Sequence, residues 1–147
     1  MKKTFLVTVA AVMISLQLKA QKAEVFSTTF GAINGYDPVA FFKEGKPVKG
    51  NELFTYKWKD AQWHFSSKAN LDSFERNPEL YAPQYGGYCA YGCSEGHKAP
   101  TSPDTWTVAD GKLYFNYNLK VKELWKKNQQ ERIEQANKNW PEIKDKD

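Results

Sequence analysis

Two cysteines and one histidine are the side chains of this sequence best suited to chemistry. Cys89, Cys93 and His97 follow one another at intervals of four residues, so on a helix each would lie close to the next on one face. Thiolate sulfur and imidazole nitrogen form a soft ligand set that suits Cu(I), and Zn(II) less exclusively. The spacing therefore predicts a metal site, with a copper ion as its favoured occupant.

Glycines interrupt the stretch that carries these residues, at positions 86, 87, 92 and 96. Each glycine in a helix interior costs about 1 kcal/mol relative to alanine, so a helix that includes Cys89 need not extend to His97. Glycine also lets the backbone approach a ligand closely, or bend so that three groups converge. The two cysteines are therefore the better supported part of the predicted site, with His97 as its third ligand.

A second group of candidate residues, His64, Tyr85 and Tyr88, could line a pocket. His64 stands between Trp63 and Phe65 in a predicted strand, and its side chain should face away from both because side chains alternate along a strand. It is interpreted either as a half-buried residue held by hydrogen bonds or as a ligand or general base near the glycine-rich stretch. Tyrosines such as these more often pack, with the hydroxyl reaching a partner at the surface.

The sequence contains no motif typical of a known catalytic arrangement. No serine–histidine–aspartate set, phosphate-binding glycine loop or pair of carboxylates stands out. The cysteines have three residues between them, unlike the two of thioredoxin-like oxidoreductases. No catalytic residue is therefore predicted, and a role without catalysis is favoured while an enzymatic one stays open.

Two helices and a hairpin are predicted ahead of the cysteines. Asp37 is an N-cap with Pro38 at the first helical position. Residues 53–58 and 62–66 are rich in strand formers and flank a turn, which predicts a hairpin. Ser67 then caps a second helix, which the Asn77-Pro78 pair breaks, with about one further turn after it.

A second hairpin and a longer helix are predicted after the cysteines. Asp110-Gly111 lies between two short runs of strand formers and is a strong hairpin signal. Asn118 can cap a final helix that Pro141 closes. Its apolar residues recur at helical intervals and are Val121, Leu124, Trp125, Ile133, Ala136 and Trp140. The predicted fold is a small single α+β domain, with antiparallel hairpins packed against short helices and a longer C-terminal helix.

The N-terminus is typical of an export signal. Lys2 and Lys3 precede an apolar stretch from Phe5 to Leu18, too short and too interrupted to span a bilayer comfortably. Cleavage is predicted after Ala20, so residues 1–20 are a signal peptide and the protein is expected to be periplasmic or secreted. Residues 21–31 are then a loosely held lead-in, residues 32–141 the domain, and residues 142–147 a polar tail.

The charge balance argues against a nucleic-acid partner. The predicted signal peptide holds Lys2, Lys3 and Lys19, which are three of the 21 basic residues, and no acidic residue. The remaining chain therefore has 18 basic and 17 acidic residues. Phosphate binding needs a concentrated basic face, and this balance does not favour one.

Three interpretations of the cysteines remain open for an exported protein. Besides ligating a metal, they could form a disulfide, the simplest outcome for two cysteines in an oxidising compartment. Cα atoms four residues apart on a helix lie near the upper limit for such a bond, and the small loop it closes would stabilise little, so it would be labile. They could also be buried, inert thiols.

The order of several short motifs resembles the YHS-domain family, in particular its exported members. The matching segments are Gly35-Tyr36-Asp37-Pro38-Val39-Ala40-Phe41-Phe42, Trp63-His64-Phe65-Ser66-Ser67, Asn77-Pro78, Tyr85-Gly86-Gly87-Tyr88-Cys89-Ala90 and Asp110-Gly111-Lys112-Leu113-Tyr114. They cover roughly residues 32–141. The resemblance implies a connection with metals, because similar domains occur beside copper-transporting ATPases.

The family's usual thiol ligands are not present in this chain. The resemblance implies one cysteine after Asp-Pro-Val and another in a Phe-Cys-Ser segment, but this sequence has Ala40 and Ser66 there. Any metal site must therefore use other residues.

Three functions follow as hypotheses. The first is binding of a soft metal ion, with copper favoured, for buffering, sensing or delivery in the cell envelope. Its expected partner is an envelope metalloprotein or transporter, and no membrane span is expected after signal cleavage. The second is a thiol–disulfide redox protein that uses Cys89 as nucleophile and Cys93 as resolving thiol, which requires a depressed cysteine pKa. The third is a non-catalytic structural module that binds a ligand or a partner.

Overall fold

The computed structural model describes residues 23–146, so the predicted signal peptide and its cleavage site lie outside the described residues. The α-helices are α1 (Pro38–Lys43), α2 (Lys68–Arg76), α3 (Pro78–Tyr81), α4 (Ala90–Ser94), α5 (Leu119–Lys127) and α6 (Gln129–Ile143). The strands are β1 (Ser27–Thr28), β2 (Gly31–Ala32), β3 (Asn51–Trp58), β4 (Ala61–Phe65), β5 (Thr107–Ala109) and β6 (Lys112–Tyr114). Short 3₁₀ turns cover Ile33–Gly35, Gln84–Gly87 and Pro103–Thr105.

The strands form three two-stranded antiparallel sheets within the described residues: β1–β2, β3–β4 and β5–β6. Both predicted hairpins are confirmed, and β5 pairs with β6 across Asp110-Gly111 with Val108 opposite Leu113. The β3–β4 ladder pairs Tyr56 with Trp63 and has an irregular register near its open end. Six helices and three small sheets confirm the predicted α+β class.

The capping signals of the first half act as predicted. Asp37 accepts hydrogen bonds from the backbone N–H groups of Val39 and Ala40 and begins α1. The Ser67 side chain accepts from the N–H of Asn70 and begins α2. These bonds satisfy N–H groups that a helix leaves without an internal partner at its first turn.

Two adjoining hydrophobic clusters make up the core. The first packs α1, α2 and the β3–β4 hairpin together around Phe41, Trp63 and Phe74. The second joins α4, α5 and α6 around Tyr85, Cys93 and Trp125. The predicted cysteine stretch is therefore part of the second cluster and lies against the C-terminal helices.

The C-terminal helix differs from the prediction. Asn118 caps α5 by accepting from the Val121 N–H, as expected, but the helix breaks at Asn128 and restarts as α6. Pro141 lies inside α6, which continues to Ile143. Proline removes a backbone donor and crowds the carbonyl four residues earlier, and the packing of Ile143 in the second cluster outweighs this cost near the helix end.

The segment expected to be a loosely held lead-in is partly built into the core. Val25 is 1% exposed and belongs to the first cluster. The N–H of Phe26 donates to the Gly86 carbonyl over 2.9 Å, and the Tyr88 hydroxyl donates to the Ala23 carbonyl over 2.7 Å. A local sequence pattern does not reveal long-range hydrogen bonds of this kind. Over residues 23–146, no helix is long and apolar enough to cross a membrane.

Candidate functional site

The helix that carries the cysteines is short and ends before His97, as the glycines of this stretch indicated. α4 begins after Cys89, whose side chain caps it, and ends at Ser94. The N–H of Gly96 then donates to the Cys93 carbonyl, and the N–H of His97 donates to the Gly92 carbonyl over 3.0 Å. This pair of bonds is a Schellman motif, which needs a left-handed residue such as Gly96, at φ +90°. His97 therefore lies beyond the helix and is folded back toward it.

This turn brings His97 toward Cys89 over the surface of Gly92. A Cβ added to Gly92 would lie 3.4 Å from His97 Nε2 and 3.6 Å from Cys89 Cβ. The imidazole nitrogen and the Cys89 side chain therefore lie on the same side of Gly92, which has no side chain to separate them. A groove lined by Cys89, Gly92, His97, Tyr117 and Val121 opens there.

The Cys89 thiol is surrounded by polar groups despite its burial. Its Sγ accepts from the Gly92 N–H over 3.4 Å and donates to Asn116 Oδ1 over 3.6 Å. Burial raises the pKa of the Cys89 thiol, while the backbone N–H groups of Gly92, Tyr117 and Tyr91 lower it and partly offset that effect. These donors would stabilise a thiolate once a proton leaves.

The Cys93 thiol faces the opposite environment, the interior of the second cluster. It is completely buried, and that burial, together with the nearby Cys89 thiol, raises its pKa to about 12, against a lowering effect of Lys98. The α6 side chain of Asn139 donates to the carbonyls of Cys93 and Ser94 at 3.0 and 3.1 Å, so α6 holds this end of α4 in place.

The described residues contain two free cysteines and no group of three or more histidine, cysteine or acidic side chains arranged to hold a metal ion. Cys89 and His97 line the same groove, whereas Cys93 is completely buried one helical turn further along the chain. A thiolate and an imidazole fit a soft ion of low coordination number better than the four-ligand geometry of a structural zinc.

The predicted pocket residues lie in different places. His64 is half-buried and lines a surface groove with Phe30 and Lys49. Tyr85 borders a separate cavity near α6, where its hydroxyl bonds to Asn137 Oδ1 over 2.9 Å. Tyr88 packs in the second cluster. Neither His64 nor these tyrosines line the Cys89 groove.

The two positions where the resemblance implies thiol ligands both contact Asp37. Its Oδ1 accepts from the Ala40 N–H over 3.3 Å, and its Oδ2 accepts from the N–H and the hydroxyl of Ser66 over 2.8 and 2.7 Å. Asp37 is completely buried and also accepts from Asn70 Nδ2. In this chain these positions serve a buried hydrogen-bond network, because alanine and serine supply no strong metal ligand.

Two residues next to the Cys89 thiol were not anticipated, and one of them lines the groove. Asn116 is completely buried and orients both the Cys89 thiol and the Tyr91 N–H through one oxygen. Tyr117 is exposed and lines the groove. Their pattern in the sequence is that of a strand end, and only the parallel bridge between Cys89 and Phe115 brings them to the site. The fold-back of His97 did have a local signal, Gly96 just after a short helix.

Comparison with known proteins gives one family. Residues 39–85 match the model of the YHS domain, a span that includes most of α1, the β3–β4 hairpin, α2 and α3 and stops four residues before Cys89. No curated protein and no solved structure matches the chain significantly. YHS domains are generally associated with metal handling, copper in particular. The match shows that this chain contains a YHS domain at residues 39–85.

Proposed function

We propose that this YHS-domain protein binds a soft metal ion, with Cu(I) favoured, at Cys89 and His97, with Cys93 as the adjoining thiol. The observation that carries the proposal is that Cys89 and His97 line one groove on the same side of Gly92, where a Cβ would lie 3.4 Å from His97 Nε2 and 3.6 Å from Cys89 Cβ. Thiolate and imidazole are ligands that Cu(I) accepts in low coordination number.

The surroundings of the two donors support reversible binding. His97 is exposed and Cys89 is 2% exposed at the floor of the groove, so an ion can reach one ligand from solvent and be held by the other. A metal must displace the thiol proton, and the N–H groups of Gly92 and Tyr117 are positioned to favour the resulting thiolate.

The role that follows is buffering, sensing or delivery of the ion. The N-terminal sequence favours export, so the proposed location is the cell envelope or the exterior, and the proposed partners are a metal ion and an envelope metalloprotein or transporter. A copper ion would be cargo here, held by few ligands and open to exchange with a partner.

The redox alternative has less support. A nucleophilic cysteine needs a depressed pKa, whereas burial raises the pKa of both Cys89 and Cys93. A resolving thiol must also reach the mixed disulfide in order to attack it, and Cys93 is completely buried.

An anaerobic competition titration of the reduced protein with Cu(I) tests the proposal. The wild type should bind one ion, Cys89→Ser should lose binding, and His97→Ala should weaken it. His64→Ala is the matched control, since His64 is the other histidine and lines a different groove. Cys93→Ser measures the contribution of the buried thiol. Absence of binding by the wild type, or equal binding by a Cys89→Ser, Cys93→Ser variant, would refute the copper site.

A further inference from the structure

A cavity of about 210 Å³ lies between the β3–β4 turn, the N-terminal segment and α6. Three of the five tryptophans of the chain line it: Trp58, Trp63 and Trp140. It shares no lining residue with the Cys89 groove. Aromatic walls around a concave site are typical of ligand pockets, so this cavity needs an explanation of its own.

Charge in the cavity favours a cation. Glu24, Glu79 and Lys59 line it, two carboxylates against one ammonium. Lys59 Nζ lies 3.0 Å from Glu24 Oε1 and 3.8 Å from Glu79 Oε1. The same ammonium stands 4.7 Å from the ring centre of Trp58. The chain's own cation is thus placed on an indole face between carboxylates, the arrangement that recognises ammonium groups in ligands.

Backbone strain borders the cavity on two sides. Lys59 has φ +50° in the hairpin turn, and Tyr85 has φ +58°. The left-handed region favours glycine or asparagine at such positions, so each residue adopts a costly conformation. Lys59 in this conformation contacts Glu24, and the ring of Tyr85 lies 5.9 Å from the ring of Trp140. The Lys59 conformation is the one that a two-residue hairpin turn requires, since Asp60 beside it also has a positive φ, +57°.

We propose that this cavity binds a small organic cation, an ammonium or quaternary ammonium group, and that the Lys59 ammonium is its internal competitor. The ligand cation would lie against the indole of Trp58 and pair with Glu24 and Glu79 while the Lys59 side chain moves to solvent. A neutral polyol could also stack on indole, but it would gain nothing from the carboxylates and would not compete with Lys59 for them.

Choline chloride is the probe that tests the charge requirement, and the signal is tryptophan fluorescence of the full mature protein. Its control is the uncharged isostere of choline in which carbon replaces the quaternary nitrogen. Choline should saturate the signal, the isostere should not, and salt should weaken the choline effect by screening the partly exposed carboxylates. Equal binding of the two compounds would overturn the proposal, as would the absence of choline binding by both the wild type and Lys59→Met.

Substitutions test the competitor. Lys59→Met should tighten choline binding by about fivefold or more, because a unit charge at near-contact distance is removed from a partly solvated site. Lys57→Met is the matched control, an exposed lysine of the same hairpin that does not line the cavity, and it should change nothing. Glu24→Gln should weaken binding. A Lys59→Met effect no larger than that of Lys57→Met would refute the role of Lys59. Because the cavity is separate from the cysteines, Cys89→Ser should leave choline binding intact whatever its effect on copper.

Discussion

The N–H of His97 donates to the carbonyl of Gly92 over 3.0 Å, and this bond folds the chain back so that the imidazole lies on the same side of Gly92 as the Cys89 side chain. The approach of His97 to Cys89 depends on two glycines: Gly96 allows the chain to turn back after α4, and Gly92 has no side chain to separate the two residues. The geometry of the candidate copper site therefore depends on Gly92 and Gly96 as well as on its ligands. Each glycine can be substituted without changing a ligand.

Gly92→Ala should keep the fold and weaken Cu(I) binding by ~10-fold or more, the scale seen when groups that orient ligands are altered. Alanine favours the helix, but its Cβ would lie 3.4 Å from His97 Nε2 and 3.2 Å from the His97 carbonyl oxygen and fill the space between the ligands. A competition titration measures the affinity and circular dichroism checks the fold. Gly45→Ala is the control for affinity, because it lies outside the groove and its Cβ meets nothing; its φ of +64° costs stability but should leave Cu(I) binding unchanged. Unchanged affinity in Gly92→Ala would show that the ion does not occupy this space.

Gly96→Ala should cost about 1 kcal/mol of stability because alanine is strained at a positive φ, here +90°. It should also weaken Cu(I) binding, since His97 loses its fixed position. Gly96→Asn is the matched control, because asparagine tolerates the left-handed conformation, and it should retain most of the affinity. Urea denaturation and the same titration give the two quantities. If both variants bind like the wild type, His97 is not a ligand.

Stability should fall at alkaline pH because the folded state holds the Cys93 proton more tightly than the unfolded chain does. Burial raises the pKa of Cys93 to about 12, above the usual value of a cysteine. The resulting stability is fully present below the unfolded pKa and is lost as pH rises toward 12, at about 1.4 kcal/mol per pH unit. Urea denaturation of the reduced protein from neutral to alkaline pH measures this slope. Cys93→Ala should be less stable at neutral pH but show a shallower decline, and an identical slope would contradict the assignment.

Asp37→Ala should destabilise the protein by about 3 kcal/mol or more, because several buried donors lose their acceptor at once. Ser66→Ala should cost about 1–2 kcal/mol, the value of one bond to a buried carboxylate, here 2.7 Å long. Ser73→Ala is the control, an exposed hydroxyl on α2, and it should stay within about 0.5 kcal/mol. Thermal unfolding ranks the three. A Ser66→Ala loss no greater than that of Ser73→Ala would mean that the network adds little.

The sequence alone determined the elements whose signals are local. Asp37 and Ser67 have side chains that satisfy the first N–H groups of a helix, and Asp110-Gly111 suits the tight turn between two strands, so these elements begin and turn where expected. The two cysteines and His97 could also be selected by residue type, because few other side chains here bind a soft ion.

Only the tertiary structure decided how those side chains are arranged. The four-residue spacing implied one helical face, but the helix ends at Ser94, and a Schellman turn returns His97 to Cys89 while Cys93 points into the core. Burial of Val25 and Ile143 depends on contacts with residues far away in the chain, where packing overrides the local preferences of a polar lead-in and of Pro141. The cavity of Trp58, Trp63 and Trp140 likewise exists only because distant segments meet.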